Sequence, residues 1–219
     1  QIRPLGRLAF FHTFVNIQRN VRDANTNIRT ADAIADMLNQ YDATVDDSAT
    51  NVYIVCSIAG GTGSGMFLDT AFLARSKGMI QEPNITGFLV LPSVFDNDVS
   101  QRIYANAYAS LKELEFYSLR KDLRIKPVGK EDMRVSFYEF DVEWQKGNRQ
   151  QIVGPPFDTC YLVDNHTDSG GSISPQNKAH LCDMIAEAIF MDFSSDVDEF
   201  SMRKRSARSN LSQFLLNDL

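Results

Sequence analysis

Between an apolar run and an apolar-rich helical segment stands Ala59-Gly60-Gly61-Thr62-Gly63-Ser64-Gly65, and no other stretch of the chain limits its fold as strongly. The run ahead of it, Val52 to Ile58, is short and β-branched, as a buried strand is. The segment behind it, Met66 to Arg75, reads as a helix with Asp69 near its start. Strand, glycine turn and helix in that order suit an anion. Glycine lets the backbone approach closely, and the free amides of a helix start carry positive potential. Two familiar phosphate loops fail here. A P-loop needs a lysine after its last glycine, and none is present. The dinucleotide fingerprint needs a glycine where Met66 or Leu68 stands. What remains is a turn rich in amide and hydroxyl donors without a fixed cation; the plainer alternative is a βα turn that holds nothing.

Composition narrows the class. The 219 residues, 43% of them apolar, suffice for one α/β domain with a sizeable core. A net charge of −6 argues against nonspecific binding to nucleic acid or anionic membrane. No apolar run is long enough to span a bilayer. Cys56, Cys160 and Cys182 stand singly in apolar contexts and read as small buried residues in a reducing, cytoplasmic compartment. His12, His166 and His180 are scattered, so neither a zinc site nor a Cys-His site is expected. The chain begins at Gln1 without a signal peptide, which reads as a piece of a longer protein.

Along the chain, Leu5, Leu8, Phe11, Val15 and Val21 are spaced for a helix over 5–22, and a second helix is expected over 30–39. After the glycine segment, residues 85–91 read as a second buried strand leading into a polar loop through Asp98. That exit lies where open α/β sheets place ligands. Residues 99–119 read as an amphipathic helix burying Ile103, Ala107, Leu111 and Leu114, with Tyr104 and Tyr108 as a packing stripe beside them. Residues 120–156 change character. Tyr138, Phe140, Val142 and Trp144 alternate with acidic residues, and Lys146-Gly147-Asn148 signals a turn, so a β-hairpin outside the main sheet is expected. Residues 157–163 resume a sheet strand ending in Asp164-Asn165, and a helix follows over about 175–190. This order favours an α/β three-layer sandwich with a mainly parallel sheet.

The string Gly60 to Gly65, followed by Met66, resembles the phosphate-binding signature of the tubulin/FtsZ superfamily. Three further blocks resemble the family in the same order. Arg3-Pro4-Leu5-Gly6-Arg7-Leu8-Ala9 is similar to its loop-to-helix entry toward the terminal phosphate. Leu91-Pro92-Ser93, Asp98 and Asn106-Ala107 are similar to its strand exit, ribose-loop aspartate and Asn-Ala helix, with one extra residue between the last two. Tyr161-Leu162-Val163-Asp164-Asn165 resembles the strand whose asparagine contacts guanine. The resemblance implies a partial tubulin-like nucleotide-binding domain over 1–219, its start missing before residue 1, with a hairpin insertion at about 120–156. It also implies a divergent bacterial tubulin-like protein binding GTP or GDP with Mg²⁺.

By this resemblance Ala59 and the glycine string, with Thr62 and Ser64 hydroxyls, hold phosphate. Asp98 accepts from the ribose or simply caps a helix, and Asn165 reads guanine or merely ends a strand. The family stacks an aromatic residue on guanine and places an asparagine four residues later; this chain has Ile173 and Asn177 at that spacing, so stacking is lost while Asn177 either pairs or caps. In the family an acidic loop from the next subunit completes the phosphate site, coupling hydrolysis to self-association as a protofilament or dimer. Asp196 and Asp198 loosely resemble that loop, or are solvated acids. Two other functions stay open: a non-catalytic scaffold with weak or structural nucleotide binding, and an unrelated α/β enzyme that takes a phosphorylated metabolite.

Overall fold

The apolar runs flanked by turn residues form a parallel sheet. The computed structural model describes residues 2–41, 50–95, 101–118, 139–165 and 178–193. Helices α1 (Arg3–Asn27) and α2 (Ala31–Tyr41) precede β1 (Thr50–Ser57), α3 (Gly61–Arg75) and β2 (Pro83–Val90). Then come α4 (Gln101–Ser118), the strands β3 (Glu139–Gln145), β4 (Asn148–Val153) and β5 (Thr159–Val163), and α5 (Lys178–Phe193). The sheet order is β1-β2-β5 with both pairings parallel, so Ser57, Val90 and Val163 finish together at one edge. The central strand β2 is buried along most of its length, as a parallel strand covered on both faces must be.

Alternation along β2 divides the core in two. Ile85 and Leu89 face a cluster built from α1, α3, α4 and the hairpin; Phe88 and Val90 face Leu181 and Ile185 of α5. Tyr53 of β1 donates to Asp192 Oδ2 of α5 at 2.6 Å. Burial, then this bond, raises the phenol's pKa above its usual range. As the alternating sequence predicts, β3 and β4 pair antiparallel, apart from the main sheet, around a turn in which Gly147 adopts φ 81°. Trp144 stacks on Phe14 of α1 with ring centroids 5.2 Å apart, and Phe10 lies tilted at 6.4 Å.

Four expectations change. Helix α1 runs longer than 5–22 and buries Gly6, Phe10 and Phe14, while Leu5, Leu8 and Val15 are more than half exposed. The close approach of Gly6 to α3 and the aromatic stack on Trp144 decide which face turns inward. Helix α3 begins at Gly61, not Met66, so most of the glycine string is its first turn. Tyr104 and Tyr108 are exposed, at 56% and 66%. Cys182 is exposed as well, whereas Cys56 and Cys160 are partly buried and their thiols are pushed up by burial to about 11 and about 12. No helix among the described residues is long and apolar enough to cross a membrane.

Candidate functional site

Strand β1 delivers the glycine string to the carboxyl edge of the sheet, where Ile58 N donates to Val90 O (3.1 Å) and Leu91 N to Val163 O (2.9 Å). Gly60 is the N-cap of α3 with an extended backbone, no side chain caps it, and no acid lies in the first turn. The amides of Gly61, Thr62 and Gly63 therefore have no partner within the helix. Ala59 is buried; its N–H donates to Ser57 Oγ and its carbonyl accepts from Asn106 Nδ2 of α4 at 3.0 Å. Thr62 is exposed. Ser64 is 1% exposed and its hydroxyl donates back to the Gly60 carbonyl. That proton is used within the turn.

The glycines answer a packing demand. A Cβ on Gly61 would lie 2.7 Å from Ile2 N, one on Gly65 would lie 2.9 Å from Arg7 N, and one on Gly63 would strike the Ser57 carbonyl. Only backbone without side chains lets α1 come this close. The two helices run in the same direction: Ile2 lies beside Gly61, Arg7 Nε donates to Asp69 Oδ2 at 2.9 Å, and Asn25 Nδ2 donates to Met79 O past the end of α3. Helix α1 is also uncapped and has no acid in its first turn. Two like helix dipoles thus put their positive ends side by side, each equivalent to roughly half a charge. An anion placed there relieves their mutual repulsion.

Across the sheet edge, Asp164 and Asn165 follow β5. Asp164 Oδ1 accepts from Ser93 Oγ and, at 2.6 Å, from the Asn165 amide. Asn165 is buried, and its Oδ1 has no hydrogen-bond partner among the described residues. A buried acceptor left unmade costs about 1–3 kcal/mol, so its presence calls for a donor. Asp98, Asn177, Asp196 and Asp198 lie outside the described residues. No three His, Cys, Asp or Glu side chains among the described residues gather as metal ligands.

A family model described as tubulin-like matches residues 1–217. The chain belongs to the tubulin-like family. No curated protein and no solved structure gives a significant match to it. Its tubulin-like glycine signature, strand exit and Asp164-Asn165 pair meet at one sheet edge. Arg3 and Arg7 stand in the block similar to the family's entry toward the terminal phosphate, but the contacts of their side chains, and those of Asp69, Asn106 and Trp144, show only in the fold. The Asn106-Ala107 pair was the available signal for Asn106. Arg3 donates through Nε and Nη2 to Ser64 O (3.1 and 3.0 Å) and through Nη2 to Glu113 Oε2 of α4 at 2.6 Å. Near these arginines lies a groove of about 470 Å³ between α1, α3 and α4, lined in part by Phe67 and Phe72. It begins beside the first turns of α1 and α3 and runs along the helices, and its arginines are paired within the fold, whereas the first amides of α3 have no partner within the helix, so the edge is the better candidate.

Proposed function

We propose that this chain binds GTP and GDP at the sheet edge, with phosphates on the first turn of α3 and guanine toward Asn165. One observation carries the reading: two uncapped helix starts converge on the edge at which a buried Asn165 carbonyl oxygen has no donor among the described residues. Guanine presents N–H donors beside a carbonyl acceptor on its pairing edge, which complements an asparagine amide. Adenine offers an acceptor where guanine's ring N–H stands. Gly61, Thr62 and Gly63 supply amides and Thr62 an outward hydroxyl; Ala59, Gly60, Ser64 and Gly65 shape the turn. Charge-assisted amide contacts contribute roughly 1.5–3 kcal/mol each, enough together for micromolar binding after desolvation losses. Mg²⁺ would arrive on the nucleotide, since such ions are held mainly through substrate phosphates and water.

The same reading gives Asp98 the ribose, Asn177 a second contact to the base, and Asp196 and Asp198 the role of orienting water for hydrolysis across a contact between copies. Self-association, as a protofilament or dimer, is then linked to nucleotide, in a cytoplasmic setting. The whole is a three-layer tubulin-type sandwich with the hairpin as an insertion. Ile173, standing where the family stacks an aromatic ring, favours a second reading: a tubulin-fold scaffold whose nucleotide is weak or structural. Calorimetry with GTP, ATP and a sugar phosphate on the full-length protein tests the first reading. Binding of GTP in preference to the others is expected. No binding at about 1 mM, a concentration that reveals weak sites, rejects it. Light scattering with GTP and Mg²⁺ separates the two readings, because only the first expects assembly to follow nucleotide.

A further inference from the structure

Asp69 is 4% exposed, and its carboxylate is held from two other elements, with Arg7 Nη2 also reaching Oδ1 at 3.5 Å. Oδ2 accepts from Arg7 Nε of α1 at 2.9 Å, and Oδ1 accepts from Trp144 Nε1 of the hairpin at 2.9 Å. Burying a carboxylate is costly unless it is paired and its lone pairs are satisfied, and an apolar side chain would fill the space more cheaply. What the carboxylate adds over an apolar side chain is a defined register. On α3, Gly61, Gly65 and Asp69 are spaced four apart and share the face against α1. Gly65 lies beside the Arg7 backbone, and the Arg7 side chain reaches down one turn to Asp69. Fixing Arg7 on Asp69 therefore fixes how far along α3 the start of α1 sits, and so where Ile2 and Arg3 lie over Gly61 and Ser64.

The hairpin closes this arrangement from outside. Its indole ring stacks on Phe14, and its N–H takes the second oxygen of Asp69. A phenyl ring could supply the stacking alone, so the N–H is the informative part. We propose that the β3–β4 hairpin clamps the phosphate-binding pole: Trp144, acting through Asp69 and Arg7, is a positioning residue that aligns the start of α1 with the first turn of α3. The inference rests on the phosphate site proposed above and adds a control on it.

The test uses W144F, which keeps a ring against Phe14 and loses the N–H, together with D69N and R7Q. Arg7 is largely exposed, so R7Q disturbs the core least. GDP and guanosine are titrated onto the full-length protein, and thermal stability is measured without ligand. The clamp predicts that W144F and R7Q weaken GDP about tenfold while guanosine affinity is unchanged, because only phosphate feels the pole. Equal weakening of both ligands, or unchanged GDP affinity, overturns it. Hydrogen exchange in the ligand-free protein is the independent arm. Faster exchange at Leu5 and Gly65 in W144F is expected, and exchange equal to that of the unsubstituted protein overturns the clamp. If the unsubstituted protein bound no nucleotide, the proposed function would fall and the exchange result would still decide the clamp.

Discussion

Replacing Gly65 by alanine sets two effects of opposite sign against each other. Alanine is the better helix former, by about 1 kcal/mol in a helix interior. Against that, its Cβ would stand 2.9 Å from Arg7 N and 3.2 Å from Gly6 Cα, and nearer still to the Arg3 carbonyl oxygen. These are backbone atoms with no rotamer to yield, so α1 and α3 must part. A gap of about 0.5–1 Å forfeits about a quarter to a half of each atom pair's ~0.1–0.2 kcal/mol attraction. Over a few tens of pairs the loss is about 1–3 kcal/mol, the usual scale of overpacking. The parting also stretches the Arg7–Asp69 bond, which adds to the loss, so the clash outweighs the propensity gain and G65A is destabilised by up to about 2 kcal/mol. Urea unfolding followed by the fluorescence of Trp144, the chain's single tryptophan, reads this out at the α1–hairpin contact itself. G6A should cost a similar amount, and the double variant less than the two together, since one parting accommodates both methyls. A G65A protein as stable as the unsubstituted one would mean that α1 does not rest on α3.

Three further outcomes follow from the same geometry. T62V should weaken GTP with little change in stability, whereas S64V should lower stability by about 1–3 kcal/mol, because it deletes the hydroxyl's bond to the Gly60 carbonyl and forces a bulkier β-branched side chain into a fully buried position; calorimetry and urea unfolding on both variants check the split. N165A should erode the preference for GTP over ATP more than it lowers overall affinity, measured by competition between the two nucleotides. Alkaline pH should destabilise the fold. The thiols of Cys56 and Cys160 ionise near 9 when unfolded but are raised to about 11 and about 12 when folded, so their contribution is intact below pH 9 and is lost as pH rises toward 12. Unfolding measured across that window should flatten in a variant carrying C56A and C160A.

The strands were legible because β1, β2 and β5 are short apolar runs bounded by turn residues, and the hairpin showed in its alternation; the sheet order β1-β2-β5 came only with the fold. Helix starts were less so. Glycine reads as loop, yet Gly61, Gly63 and Gly65 lie inside α3, where tertiary approach by α1 and β1 overrides their poor helix propensity. In α1 the leucines suggested one buried face, but Gly6 and the two phenylalanines occupy another, set by neighbours 55 or more residues away in sequence. The candidate edge site could be proposed from sequence where one loop carries it, as in the glycine string and Asn165. The Arg7–Asp69–Trp144 junction was not, because it joins three elements with no shared period and shows only once they are packed.

The central claim is that the first turn of α3 holds nucleotide phosphate. Titrating GTP into the isotope-labelled full-length protein while following the backbone amide resonances of Gly61, Thr62 and Gly63 tests it most directly. The account predicts that these amides shift strongly with GTP and GDP and scarcely with guanosine. GTP binding that leaves all three unmoved would contradict it.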